Sequence, residues 1–285
     1  VQKLAVADYP GPVEAARAYL AGRPVREAVL AVATPITSDR VALTNSPWEF
    51  SIRDSKAALG LDRLEVINDF TAQALAVPWL TAEECHQIGG GAPVPGQVIG
   101  VIGPGTGLGV GGLVPAGDRW RPIPGEGGHV SFAPHDEVDA AILVELQKRF
   151  DHVSNERLLS GPGLVNLAVA LAALEGETLE ITDPHQVPER AEAGSCRFCV
   201  AALERFSWLL GAAAGDLALT LGARGGIYVG GGLAQRLGPL FDEARFRAGF
   251  VAKGRLAYFL EPIPTYLITR HDPGLLGAAA LAMAV

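Results

Sequence analysis

The 285 residues include only three cysteines, one methionine, 7% aromatics, and no run of Lys or Arg longer than a pair. An odd, sparse cysteine count excludes a disulfide framework and makes a reducing, cytoplasmic setting the expectation. With no basic cluster and a formal net charge of −8, neither nucleic acid nor an anionic membrane is the expected main partner. A phosphate ligand stays open, because backbone N–H groups can hold one. No stretch is expected to approach the roughly 20 apolar residues of a membrane span. The apolar end, "LLGAAALAMAV", is too short for one and reads as a buried helix. No basic-then-apolar signal opens the chain, and no repeat recurs at solenoid periods.

Glycine (35 residues) and hydrophobic residues (49%) are plentiful. The length exceeds what one core usually serves, so two domains are expected. "REAVLAVATP" predicts a strand around 27–33, and "LEVINDFTAQALAV" a strand followed by a helix over Phe70 to Val77. "QVIGVIGPGTGLGVGGLV" (97–114) has two apolar strands flanking a glycine turn, the pattern of a hairpin. Helical periodicity covers 138–149, 155–174 and 197–221. A strand at Ile227–Val229, a turn at Gly230–Gly232 and a helix from Leu233 follow. The chain closes with a strand at "TYLIT", a turn at His271-Asp272-Pro273-Gly274 and a last helix. Such alternation implies α/β architecture in two lobes. The Pro- and Gly-rich stretch 78–97 marks the boundary. A small α/β domain is expected over 1–80 plus 271–285, and a large one over 81–270. The polar segment 175–193 reads as a loop.

Three local patterns suggest chemistry. At the junction of the 64–67 strand with its helix stand two polar residues, Asn68 and Asp69, where a helix cap needs only one. "GPGTGLG" (103–109) and "VGGGLAQRL" (229–237) are glycine turns. The first suits phosphate oxygens, through its N–H groups and Thr106, as well as an ordinary hairpin turn. The second suits a flat base or ribose. Neither matches G-x-G-x-x-G or precedes a Walker lysine, so a nucleotide would sit between two lobes on two separated turns. Finally, "PGEGGHVSFAP" sets Glu126 and His129 on either side of a Gly-Gly pair, and "HVSNERLL" sets Ser154 as a helix cap with Glu156 in the first turn. Taken singly, His129 is an ordinary core histidine and Glu156 an ordinary helix-dipole partner. Together with Asn68 and Asp69 they suit a polyhydroxylated ligand. A metal site is the rival, though the helical ligand spacing of common zinc sites is absent. Cys196 and Cys199 share a zinc or redox spacing but lack a second ligand pair, and read as two thiols on a helix.

"VINDFTA", "GPGTGLGV", "PGEGGHVSFAP", "HVSNERLLSGPGLVNL" and "DPGLLGAA" together resemble the signatures of bacterial glucokinases of the hexokinase/actin-like ATPase superfamily, over nearly the whole chain. The resemblance implies a two-lobed actin-like, ribonuclease H-like α/β fold with glucose and ATP in a cleft between the lobes, Mg²⁺ as cofactor, a place in glycolysis and commonly a homodimer. It implies ATP-dependent phosphorylation of D-glucose at the 6-hydroxyl. Carried over by motif, Asp69 is the catalytic base, and Asn68, Glu126, His129 and Glu156 hold sugar hydroxyls. Gly105, Thr106 and Gly107 form the second phosphate turn, and Gly230, Gly231 and Gly232 the adenosine turn. No metal-ligating residue is assigned.

The resemblance also implies an opening strand and hairpin with Asp-x-Gly-Gly-Thr, whereas this chain begins "VQKLAVADYP", read as the third strand. Deleting a central strand would leave neighbouring N–H and C=O groups unpaired at about 1–3 kcal/mol each. That is more than a domain stable by about 5–15 kcal/mol can absorb. The sequence given is therefore expected to lack a leading segment that the protein has. If the protein itself lacks it, phosphate and Mg²⁺ handling are compromised. The rival functions are a kinase with another hexose or phosphoryl donor, a non-catalytic sugar sensor, and a metal-dependent hydrolase.

Overall fold

The computed structural model describes residues 2–44 and 46–283. Its strands are β1 (Glu27–Val32), β2 (Arg40–Ala42), β3 (Glu49–Ser51), β4 (Arg63–Asn68), β5 (Cys85–Ile88), β6 (Ile99–Pro104), β7 (Leu108–Ala116), β8 (Arg119–Ile123), β9 (Ile227–Val229) and β10 (Thr265–Ile268). The helices are α1 (Pro12–Leu20), α2 (Ile52–Leu59), α3 (Asp69–Ala76), α4 (Glu137–Gln147), α5 (Gly161–Leu174), α6 (Gln186–Glu192), α7 (Arg197–Leu221), α8 (Gly232–Leu237), α9 (Glu243–Val251), α10 (Ala257–Leu260) and α11 (Pro273–Met283). The chain divides into two compact units, Val1–Leu80 with His271–Val285, and Thr81–Arg270.

In the first unit β1 and β4 pair in parallel, with Val32 opposite Asn68 at their carboxyl ends. β2 and β3 form a separate antiparallel ribbon. Parallel neighbours need a long crossover, and here residues 33–62 supply it with the ribbon and α2. Apolar burial gathers around Val32, Val41 and Phe50, and along α3 at Ala72, Ala74, Leu75 and Ala76. α3 packs against α11 so closely that a Cβ on Gly277 would overlap the Ala72 carbonyl.

The second unit is built on a six-stranded mixed sheet in the order β5-β10-β9-β6-β7-β8. β6 runs parallel to β9 and antiparallel to β7. Every residue of β6 is buried, as expected of a strand covered on both faces. The main core joins this sheet to α4, α5, α7 and α9 around Leu158, Leu164, Phe206, Phe246 and Phe250.

Several expectations need correcting. Described residues of the opening stretch are not a strand: Val6–Asp8 is a 3₁₀ turn, in which the Asp8 N–H returns to the Ala5 carbonyl; Val1 lies outside the described residues. Pro10 and Pro12 further deny a ladder its donors. The helix read over 155–174 is a 3₁₀ turn at Asn155–Arg157 followed by α5. Ser154 occupies the cap position of that turn without a side-chain cap bond. Segment 175–193 contains α6, whose Val187 and Ala191 are buried against the core. The helix after Gly232 ends at Leu237. α7 is long and apolar enough to cross a membrane, with mean hydropathy 1.2, contrary to expectation. However, 72% of its most apolar 18-residue stretch is buried inside the protein, the mark of a core helix.

Candidate functional site

The polar pair of the first unit divides its labour. β4 ends at Asn68, whose side chain is the cap of α3: its Oδ1 accepts from Phe70 N–H at 2.8 Å and Thr71 N–H at 3.2 Å. That bond set is worth about 1 kcal/mol. The Asn68 amide reaches toward the Thr34 carbonyl, 3.5 Å away, two residues beyond the end of β1. Asp69 is therefore not needed as the cap. One of its oxygens shares the Phe70 N–H at 2.9 Å. Burial pushes its carboxyl above the ordinary 3.8, against the lowering pull of the Phe70 and Asp69 N–H groups and the Asn68 side chain. A half-buried carboxylate with raised proton affinity, at the carboxyl end of a parallel strand, has the properties of a general base.

The remaining candidate residues belong to the second unit. Its two glycine turns follow the carboxyl ends of parallel neighbours β6 and β9, so they adjoin each other. The sequence reads them as two separated turns of the large domain; in the structure they are neighbours. Gly230 N–H donates to the Ile102 carbonyl at 2.8 Å. Gly231, at φ +70, lies so near β6 that a Cβ would overlap the Pro104 carbonyl. Only glycine accepts both demands cheaply. At the other turn Gly105 N–H closes on the Gly107 carbonyl at 2.8 Å, leaving the exposed Thr106 at the tip.

Glu156 ties this turn to the His129 segment. Its Oε2 accepts Leu108 N–H at 2.9 Å, and a Cβ on Gly107 would overlap that oxygen. Its Oε1 lies 3.9 Å from His129 Nδ1. Two backbone links hold the segments together, Asn155 N–H to Val130 O at 3.0 Å and Phe132 N–H to Val153 O at 2.9 Å. On the other side the Gly-Gly pair before His129 packs on β7, where a Cβ on Gly128 would overlap the Leu108 carbonyl. Glu126, at the start of that turn, is exposed. A cavity of ≈ 390 Å³ opens beside His129 and Glu156 and is also lined by Arg149, His152 and Arg157. A larger one, ≈ 630 Å³ and lined by Leu203, Phe241 and Asp242, shares no residue with it.

Sequence reasoning missed how the first glycine turn is fastened. Gly161 N–H, at the start of α5, donates to the Gly105 carbonyl at 2.8 Å. The Ser160 hydroxyl donates to the Glu156 carbonyl at 2.8 Å while accepting Gly163 N–H at 3.0 Å. The small residues of "LSGPG" were the available signal. No group of three or more His, Cys, Asp or Glu side chains able to hold a metal occurs among the described residues.

A family profile described as Glucokinase matches residues 1–285. The chain is 50% identical over 279 residues to "Bifunctional protein glk" of Burkholderia lata, covering 96% of this chain but only 43% of that protein's length. It is 49% identical to the glucokinase of Klebsiella pneumoniae (strain 342), covering 86% of that protein. Among solved structures, the glucokinase from an Antarctic psychrotroph superposes with a TM-score of 0.90 at 40% identity, covering 98% of this chain and 88% of that one. A ROK family glucokinase from Streptomyces griseus, in complex with glucose and AMPPNP, shares the fold at a TM-score of 0.62 and 22% identity, covering 96% and 88%. The α/β architecture is thus that of the glucokinases and ROK sugar kinases. Matched along its whole length, the chain belongs to the glucokinase family.

Proposed function

We propose that the chain catalyses transfer of the γ-phosphoryl group of ATP to the 6-hydroxyl of D-glucose, giving glucose 6-phosphate and ADP. Asp69 accepts the hydroxyl proton as that oxygen attacks the γ-phosphorus. A base in this position contributes about 10²–10⁴-fold, and phosphoryl transfer asks the rest of the protein mainly for positioning and charge stabilisation. The observation that carries the assignment is the Asp69 carboxyl itself, relieved of capping by Asn68 and raised by burial.

The other roles follow from what each group has left to offer. Asn68 has its oxygen occupied by α3 and presents its amide as a donor to a neighbouring hydroxyl. Glu156 gives one oxygen to Leu108 N–H and keeps the other for the sugar. His129 and Glu126 serve further hydroxyls. Gly105, Thr106 and Gly107 face the nucleotide phosphates, and Gly230, Gly231 and Gly232 the adenosine. Mg²⁺ commonly binds through nucleotide phosphates, several waters and one or two carboxylates. No residue of this chain is assigned to it and no step passes through it. A homodimer, a cytoplasmic setting and a place in glycolysis complete the reading.

Release of ADP on adding glucose, mannose or fructose tests the proposal. Glucose-dependent ADP release supports it. Glucose binding without turnover would favour a sugar sensor, and turnover with another hexose alone would favour a related kinase.

A further inference from the structure

Cys196 and Cys199 take no part in the chemistry above, and their placement differs from two thiols on a helix. Cys196 precedes α7 as its cap residue with extended backbone, φ −146 and ψ 104, and its Sγ accepts Cys199 N–H at 3.2 Å. The Cys199 thiol donates to the same sulfur at 2.6 Å. The two residues also differ in access. Cys199 is fully buried, whereas Cys196 retains 9% exposure and lies between the exposed Ser195 and Arg197.

This arrangement separates two chemical roles. The Cys196 sulfur receives an N–H at the start of a 25-residue helix and is the less buried of the two, so it is the one placed to meet an incoming disulfide. Its partner is kept as a thiol: burial, then the Cys196 sulfur beside it, pushes Cys199 up to about 12.

From this geometry we infer that Cys196 and Cys199 form a redox-active dithiol that exchanges with small aliphatic disulfides, Cys196 attacking and Cys199 resolving. The Cys196 thiolate attacks one sulfur of RS–SR, forming Cys196–S–SR and releasing RS⁻. Cys199 then gives up its proton and attacks the Cys196 sulfur, expelling the second RS⁻. The two cysteines lose two hydrogens and two electrons to form one disulfide, and the oxidant leaves as two RSH. The inference is independent of the sugar-kinase reading, since neither cysteine is among the proposed site residues.

The test uses Cys85→Ser protein, so that only the pair reports, with 2-hydroxyethyl disulfide as oxidant. Folded protein is sampled over time, alkylated and measured by intact mass. The expected product is two hydrogens lighter, carries no adduct, resists alkylation at both sites and is restored by dithiothreitol. Adding Cys199→Ser should arrest the reaction at one stable mercaptoethanol adduct on Cys196, whereas adding Cys196→Ser should leave Cys199 unmodified. Circular dichroism of each variant establishes that the comparison is made on folded chains. A pair that stays fully alkylatable, that reacts only in urea, or whose Cys196→Ser variant forms adduct as fast as Cys199→Ser, would overturn the assignment.

Discussion

Asp69→Asn isolates what the carboxylate charge contributes, because the amide oxygen can still receive the Phe70 N–H. Turnover should fall about 10²–10⁴-fold, with glucose binding retained by calorimetry. Stability should change in the opposite sense. The folded carboxyl titrates above its ordinary 3.8, so the folded chain holds that proton more tightly than the unfolded one. Its contribution to stability is present below the ordinary value and is lost as pH rises through the raised one. At neutral pH Asp69→Asn should therefore melt above the parent, with the gap narrowing as pH falls through the raised value and constant once pH is below 3.8. A Tm difference that ignores pH would show that Asp69 is not strained by burial. Glu156→Gln keeps an oxygen for Leu108 N–H but loses the charge offered to a sugar hydroxyl. KM for glucose should rise about 10- to 100-fold. Glu156→Ala also releases Leu108 N–H and should raise KM for ATP as well. If neither constant moves, Glu156 only fastens the Leu108 backbone. The functional parts of these residues were readable where the reason is local. Asn68 and Asp69 stand at a strand–helix junction, and one cap leaves one carboxylate over. Glu156 was ambiguous, because its decisive partner, Leu108, is 48 residues away.

Elements hold because their ends and joints are satisfied, and α4 shows how. Asp136 caps it by accepting Asp139 N–H at 2.7 Å. Asp139 is itself fully buried, facing Arg205 of α7 at 3.2 Å and accepting His135 N–H at 3.1 Å. Removing one partner strands a buried carboxylate, so Arg205→Leu should destabilise the protein by about 3–5 kcal/mol in urea unfolding. A loss under 1 kcal/mol would mean that the two helices are held by apolar packing alone. Nothing local in the 138–149 periodicity marks Arg205 as the counter-charge. The missed elements share this character. α6 hides in a polar stretch because only Val187 and Ala191 turn inward, and the opening apolar residues suggested a strand although prolines and a 3₁₀ turn follow.

At the scale of the molecule, the two units bury their strands differently. All six residues of β6 are buried, whereas each of the six in β4 keeps part of its surface exposed. Exchange protection tracks burial and contact density. Amides of β1 and β4 should thus exchange faster than those of β6 and β9 in native-state hydrogen exchange. Equal protection would show that the first unit draws on stability which its own burial does not explain. The strand–helix order around Asp69, the hairpin of 97–114 and the two glycine turns were legible in the amino-acid order, because periodicity, capping and positive-φ preference act over a few residues. That the two turns adjoin, that Glu156 and Gly161 clamp one of them, and that Cys196 precedes its helix to accept from Cys199 emerged from the folded chain. The turns and clamp depend on strand order and on close approaches between segments far apart in the chain. The last depends on the exact residue at which α7 begins, and amphipathic patterning fixes neither.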